Sequence, residues 1–423
     1  MNSNYWLLVA LGVANSSQFG GDPDHIVAAG DSAGAIAIGL LMAAWADNNP
    51  GFIKGAIMES PSVATLRTLD QGQEQYDCLV NATGCATARS TLGNSLNCLR
   101  RLNASALQTD RCQFNPSFDN DLIRTPMLQA FDEGRYLRIP TIAGTCNDEG
   151  TKATPQQTNT TDEALAFVRG QTSGTLTIDS LQLVNRTYLA APQPVFPDAG
   201  PLWRQVANAH GDFRAHCITA RLQNAMARDG VKTFNYRYAV LDPEQEELGF
   251  GAYHVVELNG VFGPNNTDGF PPTSYATTNA PIVGITMAYW TSFVRSLDPN
   301  NLKLEGTPDW AAWSGPQGRQ RLRFQTDNMG MESMNDTQAD NCQMFDPMLP
   351  AIETIVDRNA VVALNEPGEV NGTSWEPGFE GFSKAKTDTL DSSPFAATAG
   401  GNFVRAEAWA GFVSLLAVAW ALV

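Results

Sequence analysis

In Gly30-Asp31-Ser32-Ala33-Gly34 one serine sits among small residues, where an apolar stretch, HIVAAG, gives way to another, AGAIAIGLLMAAW. At a sharp turn from strand to helix a serine presents its hydroxyl at the helix N-terminus, where free N–H groups favour developing negative charge. Minimal flanking side chains are needed for the two elements to approach. That chemistry would be nucleophilic attack on a carbonyl. The alternative is a chance match to Gly-x-Ser-x-Gly, with Ser32 no more than a small residue in a tight turn.

A serine hydroxyl is a poor nucleophile until a histidine removes its proton and an acid fixes the tautomer of that histidine. The chain has four histidines. His25 lies in a polar DPDH turn and reads as a surface residue. His210 and His216 lie on a predicted helix, ANAHGDFRAHC, and face solvent or satisfy a local contact. His254, in GFGAYHVVELNGVFG, follows a glycine-rich loop that leads into an apolar segment, the setting expected of a catalytic base above a core. For the acid, TIAGTCNDEGT places Asp148 and Glu149 just past a predicted buried strand. Two carboxylates in a loop usually make a solvated face, but the order Ser, then Asp or Glu, then His is that of hydrolases built on a strand–serine–helix turn.

The elements that must carry these residues alternate along the chain. HIVAAG and IPTIAGT read as short buried strands, and AGAIAIGLLMAAW as a helix apolar on nearly all sides and therefore central. TFNYRYAV alternates and is rich in aromatics, as an antiparallel or edge strand would be. Strands separated by helical segments predict an α/β layer architecture. Residues 63–135 are polar, hold four cysteines and read as helices and loops inserted between strands.

With 423 residues, 43% of them hydrophobic, the chain can build a substantial core. A net charge of −17, its acids scattered, argues against nucleic acid or an anionic membrane surface as partner. The seven cysteines show no doubled CxxC zinc pattern and read as a disulfide set. Eight N-x-S/T sequons, at Asn15, Asn81, Asn103, Asn159, Asn185, Asn265, Asn335 and Asn371, agree with an extracellular protein. Residues 1–18 read either as a signal-like segment or as the end of a buried helix at a false start. Residues 19–355 form the globular part, and 356–400 a Gly/Pro/Ser-rich linker. In 401–423 an almost wholly apolar run follows a small-residue stretch and a short polar spacer, an order resembling a glycosylphosphatidylinositol attachment signal. A plain tail anchor and an uncleaved hydrophobic end are the other readings.

Four segments, FGGDPDHIVAAGDSAG, GTCNDEGT, HVVELNGVFG and MAYWTSFVRSLDPN with the following Trp310 and Trp313, resemble the type-B carboxylesterases, in order and spacing across residues 19–313. That family includes cholinesterases and large fungal extracellular lipases and esterases. The resemblance implies an α/β-hydrolase fold with a central, mostly parallel sheet and helical insertions. It implies Ser32 as nucleophile, Glu149 as acid, His254 as base and the Ala33 N–H as an oxyanion donor, with no metal or cofactor. Asp31 stands where the family usually has glutamate, and Glu257 matches a family acid that helps orient the site. The disulfides implied are Cys85 with Cys98 and Cys217 with Cys342. Cys78 with Cys112 is a third pairing that would leave Cys146 free.

The family normally carries a long segment ahead of the serine turn, with further strands and a glycine-rich oxyanion loop, whereas here the serine is residue 32. The sequence therefore looks N-terminally truncated, which predicts an exposed edge on HIVAAG and impaired activity. The expected function is cleavage of small-molecule or lipid carboxylic esters through an acyl-enzyme on Ser32. A non-catalytic cell-surface binding protein on the same scaffold is the rival reading.

Overall fold

The structure, a computed structural model, describes residues 12–86, 94–109, 112, 114–172, 175–268 and 271–354, and the short strand Val418–Ala419. The linker, the rest of the apolar tail and Asn371 lie outside the described residues, as do residues 1–11.

Seven strands form one sheet: β1 (Ile26–Asp31), β2 (Ile53–Glu59), β3 (Thr141–Cys146), β4 (Thr233–Tyr238), β5 (Gln320–Phe324), β6 (Gly330–Ser333) and β7 (Val418–Ala419), in the order β6-β5-β4-β3-β2-β1-β7. β1 to β5 run parallel. The two outer strands are antiparallel to their neighbours. Alternate residues of β1 enter different cores. Ile26 and Ala28 pack with the helices Ala33–Ala44 and Cys217–Arg228, while Val27 and Ala29 pack with the aromatic cluster around helix Ala280–Ser296. A parallel sheet covered on both faces needs apolar residues in both phases, and IVAAG supplies them.

β4 departs from its sequence pattern. It lies between two parallel neighbours in the middle of the sheet, neither antiparallel nor at an edge. Phe234, Tyr236 and Tyr238 fill the aromatic core. The alternating polar positions meet protein partners in place of water. Gln223 Nε2 donates to Thr233 Oγ1 at 2.8 Å, Asn235 Nδ2 donates to Gln223 Oε1 at 2.5 Å, and Arg237 pairs with Glu332 at 2.7 Å. Polar alternation thus marks a strand whose second face is buried by hydrogen-bonded partners. The outer edge of β1, expected to be bare, pairs with β7 through Val27–Ala419 and Ala28–Val418.

Three disulfides join Cys85 to Cys98 and Cys217 to Cys342, the two pairings implied by the resemblance, and Cys78 to Cys112, the third pairing, and Cys146 is buried and free. Two of them hold the insertion between β2 and β3. Among the described residues no helix is long and apolar enough to cross a membrane.

Candidate active site

The C-terminal ends of β1, β2 and β3 lie side by side, and the residues that follow them form the site. At the end of β1, Ser32 has φ 55° and ψ −115°, a backbone region that non-glycine residues occupy at a cost of about 1–3 kcal/mol. Ser32 N–H donates to Glu59 O at 2.9 Å, and the helix Ala33–Ala44 starts immediately, with Ile36 N–H donating to Ser32 O. Gly30 makes this turn feasible. A Cβ there would lie 2.7 Å from the carbonyl carbon of Gly34, so any side chain would push helix from strand. The Ser32 hydroxyl makes no hydrogen bond among the described residues and is free at the turn.

β2 ends the same way, with Ser60 at φ 49°. Its N–H donates to Gly144 O on β3, and its hydroxyl donates to Glu149 Oε1 at 2.6 Å and lies 3.2 Å from Glu257 Oε1. Glu149, on the loop after β3, also accepts from Cys146 N–H at 2.7 Å. Its other oxygen, Oε2, lies 2.6 Å from His254 Nδ1. The structure thus brings His254 and Glu149 into direct contact, and Ser60 links them to the strand end that receives the Ser32 amide.

Asp148, beside Glu149 in sequence, does different work. It pairs with Arg204, its backbone N–H donates to Ala252 O, and its Oδ2 accepts from Ala252 N–H at 2.9 Å. Arg204 Nη1 donates to Gly249 O, and Thr151 Oγ1 donates to Phe250 O at 2.9 Å. These bonds stitch the histidine loop onto the acid loop. Gly251, at φ 61°, lets the two approach, since a Cβ there would sit 2.3 Å from Asp148 Oδ2. Val255, next to His254, is held at φ 71°, a strained torsion for a β-branched residue.

Beneath the pair lies a group of buried acids. Burial, then the charge of Glu257, pushes Asp31 up; the same two causes push Glu59 up to about 8, against the pull of the Trp290 Nε1 hydrogen bond to its Oε1. Glu257 is raised by burial and by Glu149, and is held by Tyr236 Oη at 3.2 Å and by the Cys146 thiol, 2.8 Å from its Oε2. Burial would also raise Glu149, but the charge and hydrogen bond of His254 hold it below its ordinary value. For His254 burial works downward, and the Glu149 carboxylate overrides it and pushes the imidazole up to about 10. One acid stays ionised beside the imidazole while its neighbours are held toward the neutral form, as expected when several carboxylates share a low-dielectric site.

The other histidines have other partners, although the charge of His216 also helps to hold Glu149 down. His25 Nε2 is 2.7 Å from Val294 O, and His210 lies against Phe167 with the rings tilted at 43° and is pushed down to about 3 by burial. His216 is buried, with Nδ1 on Asp212 at 2.9 Å and Nε2 on Cys146 O at 2.9 Å, so its predicted helix face is turned inward to local partners. Sequence reasoning missed Glu59, Ser60 and Trp290. MES and MAYW look like ordinary strand and helix text, and only the sheet's register brings them to the site.

The sequence profile of a family described as "Carboxylesterase family" matches residues 13–345. Similar curated proteins include "Secreted lipase 4" of Gibberella zeae, 24% identical over 322 residues, which covers 70% of this chain and 55% of that protein. "Secreted lipase 1" of Botryotinia fuckeliana is 26% identical over 350 residues, covering 76% of this chain and 58% of that protein. The chain therefore spans a little over half the length of these relatives. Among solved structures, the crystal structure of Aspergillus niger EstA matches with TM-score 0.73 and 29% identity, over 82% of this chain and 68% of that one.

Proposed function

From the premise that the chain belongs to the carboxylesterase family and has the α/β-hydrolase fold, we propose that it hydrolyses carboxylic esters through an acyl-enzyme on Ser32. The observation that carries this reading is the 2.6 Å contact between His254 Nδ1 and Glu149 Oε2, joined through Ser60 to the strand end that receives the amide of Ser32, whose turn is strained and whose hydroxyl is free. His254 Nε2, with the imidazole in its neutral form, takes the Ser32 proton as Oγ forms a bond to the ester carbonyl carbon. The Ala33 N–H, at the helix start, donates to the developing oxyanion. The carbon–oxygen bond to the alcohol then breaks, and the alcohol leaves with the proton from His254. Water attacks the acyl carbon and gives a proton to His254; the acid is released as Ser32 Oγ takes that proton back. Glu149 holds the tautomer and stabilises the imidazolium. Asp31 and Glu257 support the pair from behind.

Relatives named as secreted lipases favour a lipid or small-molecule ester and an extracellular setting, as do three disulfides. The apolar C-terminal run supports attachment to the cell surface through a lipid anchor, a processing step that would remove the run and β7 with it; release by a phosphatidylinositol-specific phospholipase would test it. For the activity itself, the full chain is incubated with a p-nitrophenyl ester and with a fluorophosphonate probe, and the adduct is mapped. Turnover and an adduct on Ser32, both absent in Ser32→Ala, are expected. A folded protein that neither turns over ester nor is labelled would overturn the enzyme in favour of a binding protein on this scaffold.

A further inference from the structure

A polar cavity of about 720 Å³ opens beside the acid loop, and its wall holds a second histidine–carboxylate pair, His216 with Asp212, both buried. His216 turns Nδ1 to Asp212 Oδ1 and Nε2 to the Cys146 carbonyl oxygen, each at 2.9 Å. A neutral imidazole has one N–H and cannot donate to two acceptors, so this ring carries both protons. Asp212 acts as an acceptor throughout. Tyr188 Oη donates to its Oδ2 at 2.6 Å, Asn341 Nδ2 to the same oxygen at 3.1 Å, and Gln338 Nε2 to Oδ1 at 3.3 Å. A carboxylate that receives so many donors is ionised. Burial works downward on His216, and the hydrogen bond and charge of Asp212 override it and raise the imidazole. Among the other charges of the wall, Arg237 and Arg321 pair with Glu332, and Asp148 pairs with Arg204. Glu149 is left as the acid that shares this space with the imidazolium.

The pair reaches Glu149 by two routes. Cys146, whose carbonyl accepts from His216, donates its own N–H to Glu149 Oε1 at 2.7 Å. Gly211, on the turn before His216, sits between the ring and the acid loop: a Cβ there would lie 3.5 Å from Glu149 Cβ and 3.7 Å from His216 Cε1. Across that short gap charge also acts. Burial would raise Glu149, and after His254 the charge of His216 holds it down. A purely structural contact would need no ion here, since a neutral amide could donate to the Cys146 carbonyl without the cost of burying a charge. We propose that His216, kept as an imidazolium by Asp212, is a positioning residue for ester hydrolysis: it fixes the Cys146 backbone that holds Glu149, and keeps that acid ionised opposite His254. Being a cation, it also makes a second cation at His254 less favourable, and so keeps more of the base in the neutral form that takes the serine proton.

This role rests on the reading of Ser32, Glu149 and His254 as the catalytic residues. Its test compares the full chain with His216→Gln in p-nitrophenyl ester hydrolysis across pH. The glutamine keeps a donor for the Cys146 carbonyl and removes the charge. The acidic limb of its kcat/KM profile is expected to move to higher pH by about half a unit, about a threefold loss on that limb, opposite in direction to removal of the Glu149 charge. Whether or not that variant folds, nitrogen-15 NMR of the parent, labelled at histidine, reads the ring directly. Two protonated ring nitrogens at His216 at pH 7 are expected, and a single one overturns the proposal. A folded His216→Gln whose limb stays in place or moves to lower pH overturns it as well, leaving His216 a structural contact. A parent that hydrolyses no ester and takes no fluorophosphonate adduct on Ser32 overturns the active-site reading, and the role of His216 with it, whatever charge the ring carries.

Discussion

Ser32 holds a torsion that glycine would hold more cheaply, and the Gly30–Gly34 approach and the Glu59 hydrogen bond keep it there. Strain of this kind belongs to a residue whose position matters more than its stability. Ser32→Ala should reduce ester turnover about 10⁴-fold or more while the folded chain keeps its near-UV circular dichroism, and a smaller loss would exclude Ser32 as the nucleophile. In the proposed mechanism Glu149 governs the pH response. The carboxylate raises His254 above its ordinary 6.5 and the imidazolium holds Glu149 below its ordinary 4.5, so the pair's contribution to stability is complete between pH 4.5 and 6.5, and is lost as pH rises through the folded value of His254 or falls through that of Glu149. In Glu149→Gln the imidazolium loses that support. The acidic limb of the kcat/KM profile should move to lower pH, and kcat should fall about 10⁴-fold. An unmoved limb would remove Glu149 from the mechanism.

Between elements, close approach and buried charge decide what can be changed. Gly30→Ala would drive a Cβ into the Gly34 backbone at the strand–helix turn. It should cost about 1–3 kcal/mol in urea unfolding and reduce activity beyond the stability loss, because it displaces the Ser32 turn. On the far side of the sheet, Glu332 of β6 pairs with Arg237 of β4 and with Arg321 and Arg323 of β5. Desolvation would raise its carboxyl, but these guanidinium groups hold it down to about 2. Its stabilisation is therefore full above pH 4.5 and is lost as pH falls toward 2. Glu332→Gln should destabilise the fold by roughly 3 kcal/mol at pH 7, because it strands the buried Arg321 charge, and should flatten the acid limb of the stability curve. A variant whose acid limb matched the parent's would assign that limb to other carboxylates.

Across the molecule, the Cys217–Cys342 disulfide closes 125 residues and ties the helix beneath β3 and β4 to the late helix that follows Asn335. Replacing both cysteines by serine should lower stability by about 2–4 kcal/mol, read as a lower urea midpoint, and should leave the ester hydrolysis rate of the folded fraction unchanged. A large change in that rate would mean that the bridge also shapes the site. The proposed active residues draw on four successive strand ends, while the polar cavity is lined in part by the acid loop. The two share Asn147, Asp148, Glu149 and Thr151.

The strand–serine–helix turn, the buried strand before Glu149 and the loop before His254 were readable along the chain, because each is a local contest among side-chain size, apolar run length and glycine freedom. The placement of β4 was not readable that way. Thr233, Asn235 and Arg237 look solvent-facing until Gln223 and Glu332 arrive from distant positions to satisfy them. Residue type and spacing alone leave Asp148 and Glu149 equivalent, and only the family resemblance points to Glu149; in the structure one is tied to Arg204 and Ala252 and the other to His254. Glu59, Ser60 and Trp290 reach the site through sheet register and helix packing alone. Local sterics choose an element from neighbouring residues, but which buried charge finds a partner depends on which remote atoms close the same low-dielectric space.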